Sequence, residues 1–245
     1  MRRLLVALTL LVGAVAATPA QAQPARVTLV LDGGGQLPSG AFGQNFTLRK
    51  YVEDAPVTTD VKMDVAPFFD AGLRLRVAGG LGIGVVGFST TGKAPGVVDA
   101  RIPHPFYYGQ LRAISGDLTG LDRKETGAHA ELTYTADLSA SVGVTLFGGP
   151  TYFSVEQALV NDVTYTESYP YDTAAYESAP TTTVKETGIG YNAGLELVWK
   201  LGRRVGLAGL ARYTTADIPL TVATGNSVDI KAGGMQAGLG LRFGF

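Results

Sequence analysis

The last eleven residues alternate between two kinds of side chain, and this alternation constrains the fold more than any other feature of the sequence. The apolar members of the run are Met235, Ala237, Leu239, Leu241, Phe243 and Phe245. The residues between them are glutamine, glycine and arginine. Successive side chains of a β-strand point to opposite faces, so a period of two places every apolar group on one face. The C-terminus therefore predicts a β-strand with one apolar face and one glycine-rich polar face.

The same alternation recurs along the chain and predicts about eight strands. They cover residues 26–32, 69–76, 81–88, 129–136, 142–152, 189–199, 205–213 and 235–245. Short links at 78–80, 137–140 and 201–204 alternate with long segments, at 33–63, 92–126, 159–184 and 217–227. Short turns at one end and long loops at the other are typical of up-and-down membrane barrels. We expect an all-β fold, a closed antiparallel up-and-down transmembrane β-barrel of about eight strands with long outer loops and short periplasmic turns.

The first 22 residues have the composition of an export signal. A basic start, Met1-Arg2-Arg3, precedes an apolar run at 4–17 and the small-x-small sequence Ala20-Gln21-Ala22. The run is too short for a membrane-spanning helix, although an uncleaved anchor is the alternative. The sequence predicts a cleaved signal peptide over residues 1–22 and one barrel domain over 23–245.

The content of the polar face indicates which side of the barrel is inside. A soluble, lipocalin-like barrel would turn its apolar face inward and would place Lys, Glu, Thr and Ser in water. Here the polar face carries many glycines beside a few charges. Glycine suits the interior of an eight-stranded barrel, which is just wide enough for side chains to fill. We therefore expect the apolar face to meet lipid, with the soluble barrel as the alternative.

Six charged residues are expected to point into the lumen. They are Arg74, Arg76, Glu131, Glu196, Arg212 and Arg242. On this register arginines outnumber acids, and Asp32 and Asp70 are candidate partners. Buried charges persist only when they are paired or hydrated. The sequence therefore predicts an ion-paired plug, and the alternative is a narrow arginine-lined path for small anions.

Composition and motifs argue against several other kinds of site. The formal net charge is −1 and cysteine is absent, which disfavours nucleic-acid binding, disulfides and thiolate metal sites. Gly82-x-Gly84-x-x-Gly87 and the run 87–93 match nucleotide-binding motifs by letters, but no helical pattern follows them. His104 and His129 are the only histidines, and neither has a ligand partner at metal-site spacing. No cofactor or metal is expected.

The terminal run from Ala237 to Phe245 resembles the signal that outer-membrane proteins present to the barrel assembly machinery. Its outward members Leu239, Leu241, Phe243 and Phe245 carry the resemblance. The overall layout resembles the eight-stranded barrels of the OmpA/OmpW class. This resemblance implies residence in the cell outer membrane, with membrane lipid and the assembly machinery as partners.

Three functions remain open from the sequence. The first is a non-enzymatic barrel whose outer loops make surface contacts, with the Tyr/Thr/Ser-rich stretch at 160–183 as the contact surface and an unidentified ligand. The second is a conduit for small or apolar solutes, lined by inner residues such as Val86, Phe88 and Phe147. The third is a lipid A-modifying enzyme that uses His104, by resemblance to outer-membrane acyltransferases and deacylases of this size.

Overall fold

The computed structural model describes residues 26–221 and 227–245, and within these ranges the chain forms twelve β-strands and no helix. The strands are β1 Val27–Pro38, β2 Phe42–Lys50, β3 Glu53–Val61, β4 Ala66–Ala78, β5 Leu81–Pro103, β6 Leu111–Asp137, β7 Val142–Val160, β8 Thr164–Glu167, β9 Ala174–Ser178, β10 Thr181–Lys200, β11 Val205–Thr221 and β12 Ser227–Gly244. No helix of the described residues is long and apolar enough to cross a membrane. The predicted signal peptide at 1–22 lies outside the described residues.

Eight of the strands close into a ring through antiparallel backbone ladders. The order around the ring is β1, β4, β5, β6, β7, β10, β11 and β12. The ring closes where β12 pairs with β1, from Thr28 opposite Gly244 to Pro38 opposite Gly234. These eight strands contain the eight predicted segments, so the predicted eight-stranded up-and-down barrel is confirmed.

The lower part of the barrel, next to the short turns, is apolar outside and polar inside. Its outward side chains form a continuous exposed band that includes Leu73, Ile83, Leu132, Leu146, Leu195, Leu207 and Leu239. Aromatic residues lie at both margins of this band, with Trp199 and Phe245 near the short turns and Phe69, Tyr152 and Tyr213 at the other side. The polar side chains between them are buried in the lumen. The lipocalin-like alternative, with its apolar face inward, is therefore wrong for this part of the chain.

The upper part of the barrel has the opposite arrangement. Its outward face begins with a row of charged side chains, Lys93, Lys124, Glu156, Lys185, Asp217 and Lys231. Its interior is an apolar core that includes Val57, Val98, Ile102, Ile114, Leu118, Leu159, Ile218, Leu220 and Ile230. Because polar groups face outward and apolar groups inward, this half has the pattern of a barrel that stands in water.

Most residues of the segments predicted as long outer loops belong to β-strands. Residues 92–126 continue β5 and β6 as a paired hairpin up to Pro103 opposite Leu111, and only 104–110 form the turn. Residues 33–63 likewise contain the end of β1 and the hairpin of β2 and β3. Apolar and polar residues alternate in these segments too, but the apolar residues face inward and are separated by Thr, Asp and Gly. A search for strands with an apolar lipid-facing side therefore does not find them.

Two hairpins complete the upper wall. β4 begins only at Ala66, and above that level β3 replaces it beside β5, from Val57 opposite Ala100 to Val61 opposite Gly96. The small β8–β9 hairpin packs on β6, where the Tyr176 ring occupies the space beside Gly116. A Cβ atom on Gly116 would lie 2.0 Å from this ring, so glycine is required for the close approach.

Candidate functional site

Four of the six predicted lumen residues lie in one ion-pair network that also includes Asp32. Arg74 Nε lies 2.9 Å from Glu131 Oε2, and Arg74 Nη1 lies 2.8 Å from Glu196 Oε1. The other oxygen of Glu196 contacts Arg242, whose Nη1 lies 2.8 Å from Asp32 Oδ1. The five side chains come from five different strands, and β4 and β10 lie on opposite sides of the ring. The network therefore bridges the lumen.

Arg212 organises a second network one level higher. Its Nη2 lies 2.6 Å from Asp70 Oδ2, and its Nε donates to Gln236 Oε1 at 2.7 Å. Gln236 Nε2 donates to Gln36 Oε1 at 2.6 Å, and Gln36 Nε2 donates to Glu125 Oε2 at 3.2 Å. All five side chains are buried. Neutral amides thus connect the Arg212–Asp70 pair to a further carboxylate on β6.

The Arg123–Glu125 pair was not expected in the lumen. Arg123 Nη2 lies 2.7 Å from Glu125 Oε1 and donates to the Lys231 carbonyl at 2.7 Å. This contact spans from β6 to β12, again across the ring. Sequence reasoning placed both residues in a loop, although they continue the inward alternation of His129 and Glu131. That continuation was the available signal.

Arg76 does not belong to the lumen network, and this prediction is wrong. It is half-buried, and its Nη1 donates to the Gly79 carbonyl at 3.4 Å. β4 ends at Ala78, so the long side chain reaches the short turn instead of the lumen.

The expected excess of positive charge is also wrong. The buried arginines of the two networks are Arg74, Arg123, Arg212 and Arg242, and the buried acids are Asp32, Asp70, Glu125, Glu131 and Glu196. Four arginines therefore face five acids, which removes the basis for an arginine-lined anion path.

The apolar inner residues proposed to line a conduit fill space instead. The Phe147 ring lies 4.8 Å from Arg74 Cζ, and the Phe88 ring stacks on His129 with centroids 4.5 Å apart. Val86 is fully buried beside them. Within the described part of the lumen, a cavity of about 10 Å³ beside Gln36 has room for about one water molecule. The three side chains and the ion pairs thus occupy the lumen at these levels.

Both histidines have structural contacts. His129 is buried with its Nδ1 2.8 Å from Thr151 Oγ1. His104 Nδ1 accepts the backbone N–H groups of Phe106 and Tyr107 at 3.1 and 3.2 Å, which closes the β5–β6 turn. Among the described residues no hydrogen bond joins His104 to a serine, and no cluster of three His, Cys, Asp or Glu could hold a metal. Both glycine motifs lie within strand β5.

The predicted assembly signal lies on the strand that closes the ring. Leu239, Leu241 and Phe245 are exposed on the outer face, whereas Phe243 is partly covered. β12 pairs with β11 on one side and β1 on the other. A role in assembly stays a prediction.

Three turns that are distant in sequence meet at the top of the barrel. We call residues 49–54, 104–112 and 162–178 the outer tip. Seven of the eleven tyrosines of the chain lie there, namely Tyr51, Tyr107, Tyr108, Tyr165, Tyr169, Tyr171 and Tyr176. Only the third segment was identified from the sequence as a contact surface.

A buried arginine holds the outer tip together. Arg112 is 7% exposed, pairs with Glu167, and donates to the carbonyls of Pro103 at 2.7 Å and Tyr171 at 3.0 Å. The hydroxyl of Tyr51 donates to the same carboxylate, and this hydrogen bond raises the pKa of Tyr51. The Arg112–Glu167 ion pair and the Tyr51 hydrogen bond thus join all three turns.

Comparison with known proteins finds similarity in shape but not in sequence. Neither a protein-family profile nor a curated protein matches the chain. The chain is similar to Neisserial surface protein A at 12% identity and a TM-score of 0.46, over 91% of this chain and 100% of that one. It is similar to the outer membrane protein OprG from Pseudomonas aeruginosa at 12% identity and a TM-score of 0.49, over 91% and 98%. It is also similar to the outer membrane protein AlkL in DMPC lipid bilayers at 13% identity and a TM-score of 0.38, over 94% of both chains.

The comparison returns proteins of which two are named as outer membrane proteins. At these identities and TM-scores it transfers no role to this chain.

Proposed function

We propose that the chain is a non-enzymatic barrel of the outer membrane that presents the outer tip for contacts at the cell surface. The exposed apolar band supports the membrane setting, because on β10 it runs from Ile189 to Trp199. A membrane-crossing β-strand needs about 9–11 tilted residues, which matches this height. An apolar belt of this kind on a soluble protein would instead drive association.

The composition and rigidity of the outer tip carry the proposal of surface contact. Phe106, Tyr108 and Tyr169 are 69%, 90% and 83% exposed. Tyrosine gives large, amphipathic contact area at a low cost in conformational entropy, which is why recognition loops are rich in it. The buried Arg112–Glu167 pair fixes the turns that bear these rings. Preorganised aromatic groups at an exposed end suit a binding module.

The packed lumen favours a surface role over the two alternatives. Ion pairs and aromatic rings fill the described interior, so a conduit would need a rearrangement of charged groups that bridge the walls. The hypothesis of a lipid-modifying enzyme depends on His104, whose Nδ1 lone pair already accepts two backbone N–H groups. In the neutral ring the proton then lies on Nε2, so neither nitrogen of His104 has a free lone pair with which to act as a general base.

Whole-cell adhesion tests this proposal. Cells that express the protein should adhere to at least one surface of a panel coated with proteins and polysaccharides, more strongly than cells with an empty vector. Phe106→Ala with Tyr108→Ala should reduce adhesion to the vector level. Val97→Ala, which alters an exposed apolar residue of β5 below the tip, is the matched control and should not. An epitope inserted at Gly109, where φ is +78° and no atom lies within 4 Å of the position that a Cβ would take, should be reached by antibody on intact cells.

Equal adhesion of wild-type and vector-only cells on every surface would reject the proposal. Solute flux through liposomes that contain the pure protein would instead favour the conduit.

A further inference from the structure

The charges of the outer tip point to the chemistry of its partner. The tip carries three bases, Arg49, Lys50 and Arg112. It carries six acids, Glu53, Asp54, Asp162, Glu167, Asp172 and Glu177. Acids therefore exceed bases by three.

Every base of the tip forms an ion pair with an acid. Arg49 Nη1 lies 3.1 Å from Asp54 Oδ1, and Lys50 Nζ lies 3.0 Å from Asp162 Oδ1. Arg112 pairs with Glu167 beneath the surface. Three acids, Glu53, Asp172 and Glu177, have no Lys or Arg partner among the described residues. These three account for the negative charge that the tip presents to a partner.

Two of these carboxylates lie beside the exposed rings. Glu53 Oε2 accepts the backbone N–H of Gly109 at 2.8 Å, next to Tyr108. Asp172 follows Tyr171 directly, and its Oδ1 lies 4.0 Å from His104 Nε2 while most of its side chain remains in solvent. Carboxylates and aromatic faces are the two groups that attract an organic cation, the first by charge and the second by the ring quadrupole.

The rings form a connected and ordered surface. Tyr169 contacts Tyr171 edge to face with centroids 6.1 Å apart, and Tyr171 contacts Phe106 in the same way at 5.4 Å. Tyr107 packs on His104 at 4.7 Å. The aromatic surface thus extends from the β5–β6 turn to the β8–β9 hairpin. An open cleft of about 360 Å³ lies within that hairpin, lined by residues 166–168 and 173–175.

We infer that the outer tip binds a basic polypeptide segment, rich in arginine or lysine, of another protein. The inference rests on the proposed surface function and specifies its partner. Carboxylates distributed over separate turns, with aromatic faces between them, fit several basic side chains along an extended segment better than a single small cation. Two of the three bases of the tip neutralise their acids at the surface and the third does so beneath it, so no free tip cation opposes such a segment.

Binding of a synthetic arginine decapeptide to the purified full chain in detergent tests the inference. The decapeptide should bind, and its affinity should fall steeply as salt rises because exposed charges are screened. Glu53→Gln with Asp172→Asn should weaken binding by about fivefold or more, and Phe106→Ala with Tyr108→Ala should do the same. Glutamine can still accept the Gly109 N–H, so the tip should keep its shape.

The matched control removes two exposed acids outside the tip. Asp99→Asn with Asp229→Asn makes the same change in net charge at exposed positions of β5 and β12, outside the residues of the tip, and should leave the affinity within about twofold. Heat-modifiable gel migration verifies that each variant is a folded barrel.

The outcomes separate this inference from the proposed function. Equal binding of the decapeptide to the tip-acid variant and to the control variant would overturn the basic partner, and so would tighter binding of a glutamate decapeptide. If the aromatic variant loses cell adhesion while the tip-acid variant keeps it, the surface function stands and the basic partner falls. If neither variant changes adhesion, the proposed function itself fails.

Discussion

Arg74 Nη1 lies 2.8 Å from Glu196 Oε1, and this contact joins two strands on opposite sides of the eight-stranded ring. The same carboxylate also contacts Arg242. One acid therefore pairs with two arginines inside the buried lumen, and Glu131 and Asp32 supply the second acid for each of them. We expect both the stability of the barrel and the closure of its lumen to depend on Glu196.

Glu196→Ala should lower the free energy of unfolding and raise conductance. Removing Glu196 takes away one of the two carboxylates that pair with each of Arg74 and Arg242, while Glu131 and Asp32 remain. The cost should therefore lie below the value of about 3–5 kcal/mol for a fully uncompensated buried charge. Water that enters to solvate Arg74 and Arg242 would open a path. Denaturant unfolding and planar-bilayer recording measure the two effects. Glu177→Ala, an exposed acid of β9, is the control. Large, steady conductance of the wild type that Glu196→Ala leaves unchanged would contradict a closed lumen.

Leu239→Arg should impair folding into bilayers, whereas Leu239→Ile should have little effect. Leu239 is 64% exposed in the apolar band, and a basic residue at the middle of the membrane on that face costs about 2–4 kcal/mol. Folding yield into lipid vesicles measures the difference. If Leu239→Arg folds as well as wild type and the protein is soluble without detergent, the band does not face lipid.

Phe245→Asp, or deletion of Phe245, should prevent insertion into the outer membrane. Phe245 directly follows the strand that closes the ring, and its backbone N–H donates to the Val27 carbonyl at 2.9 Å. An incompletely closed ring leaves unpaired backbone groups toward lipid. Immunoblots of separated periplasmic and membrane fractions should detect the variant in the periplasm or not at all. Phe245→Tyr keeps the aromatic end and should insert, and a normal outer-membrane level of Phe245→Asp would refute the assembly signal.

The tip should loosen at high pH through Tyr51. Its hydrogen bond to Glu167 raises the pKa of Tyr51 above the ordinary value of about 10. The folded tip holds this proton more tightly than the unfolded chain, so the stabilisation is fully present below about pH 10 and declines as pH rises through the folded pKa. Ultraviolet titration of tyrosinate should therefore contain a late phase. Tyr51→Phe should remove it and Glu167→Gln should move it to lower pH; an unchanged late phase in both would disprove the assignment.

The barrel could be predicted from the sequence because each membrane strand carries its own signal. Leu195 and Glu196, for example, occupy alternate faces that periodicity alone assigns. The upper strands were missed because their apolar residues, such as Val98 and Ile102, face the interior of the barrel. In the membrane part, the same alternation places apolar residues on the outer face. Arg76 was misassigned because side-chain direction at a strand end is decided by reach and not by register.

The outer tip could be predicted only in part. The tyrosines near residue 170 are visible as composition, but Tyr51, Arg112, Glu167 and Tyr171 come into contact only when the three turns converge. Contacts between residues this far apart in the chain have no local pattern. The pairing that organises the tip was therefore beyond a single sequence.

The reversal of polarity along the barrel axis also fixes how deep the protein sits. Moving it outward by one strand residue would carry Tyr152 and Ile189 into water, and moving it inward would carry Lys185 and Glu156 into hydrocarbon. About ten tilted residues give an apolar height of about 25 Å. The height of the apolar band therefore sets the membrane thickness that the protein matches. The protein should insert best in thin bilayers. In thicker bilayers the lipid next to the apolar band should become locally thinner.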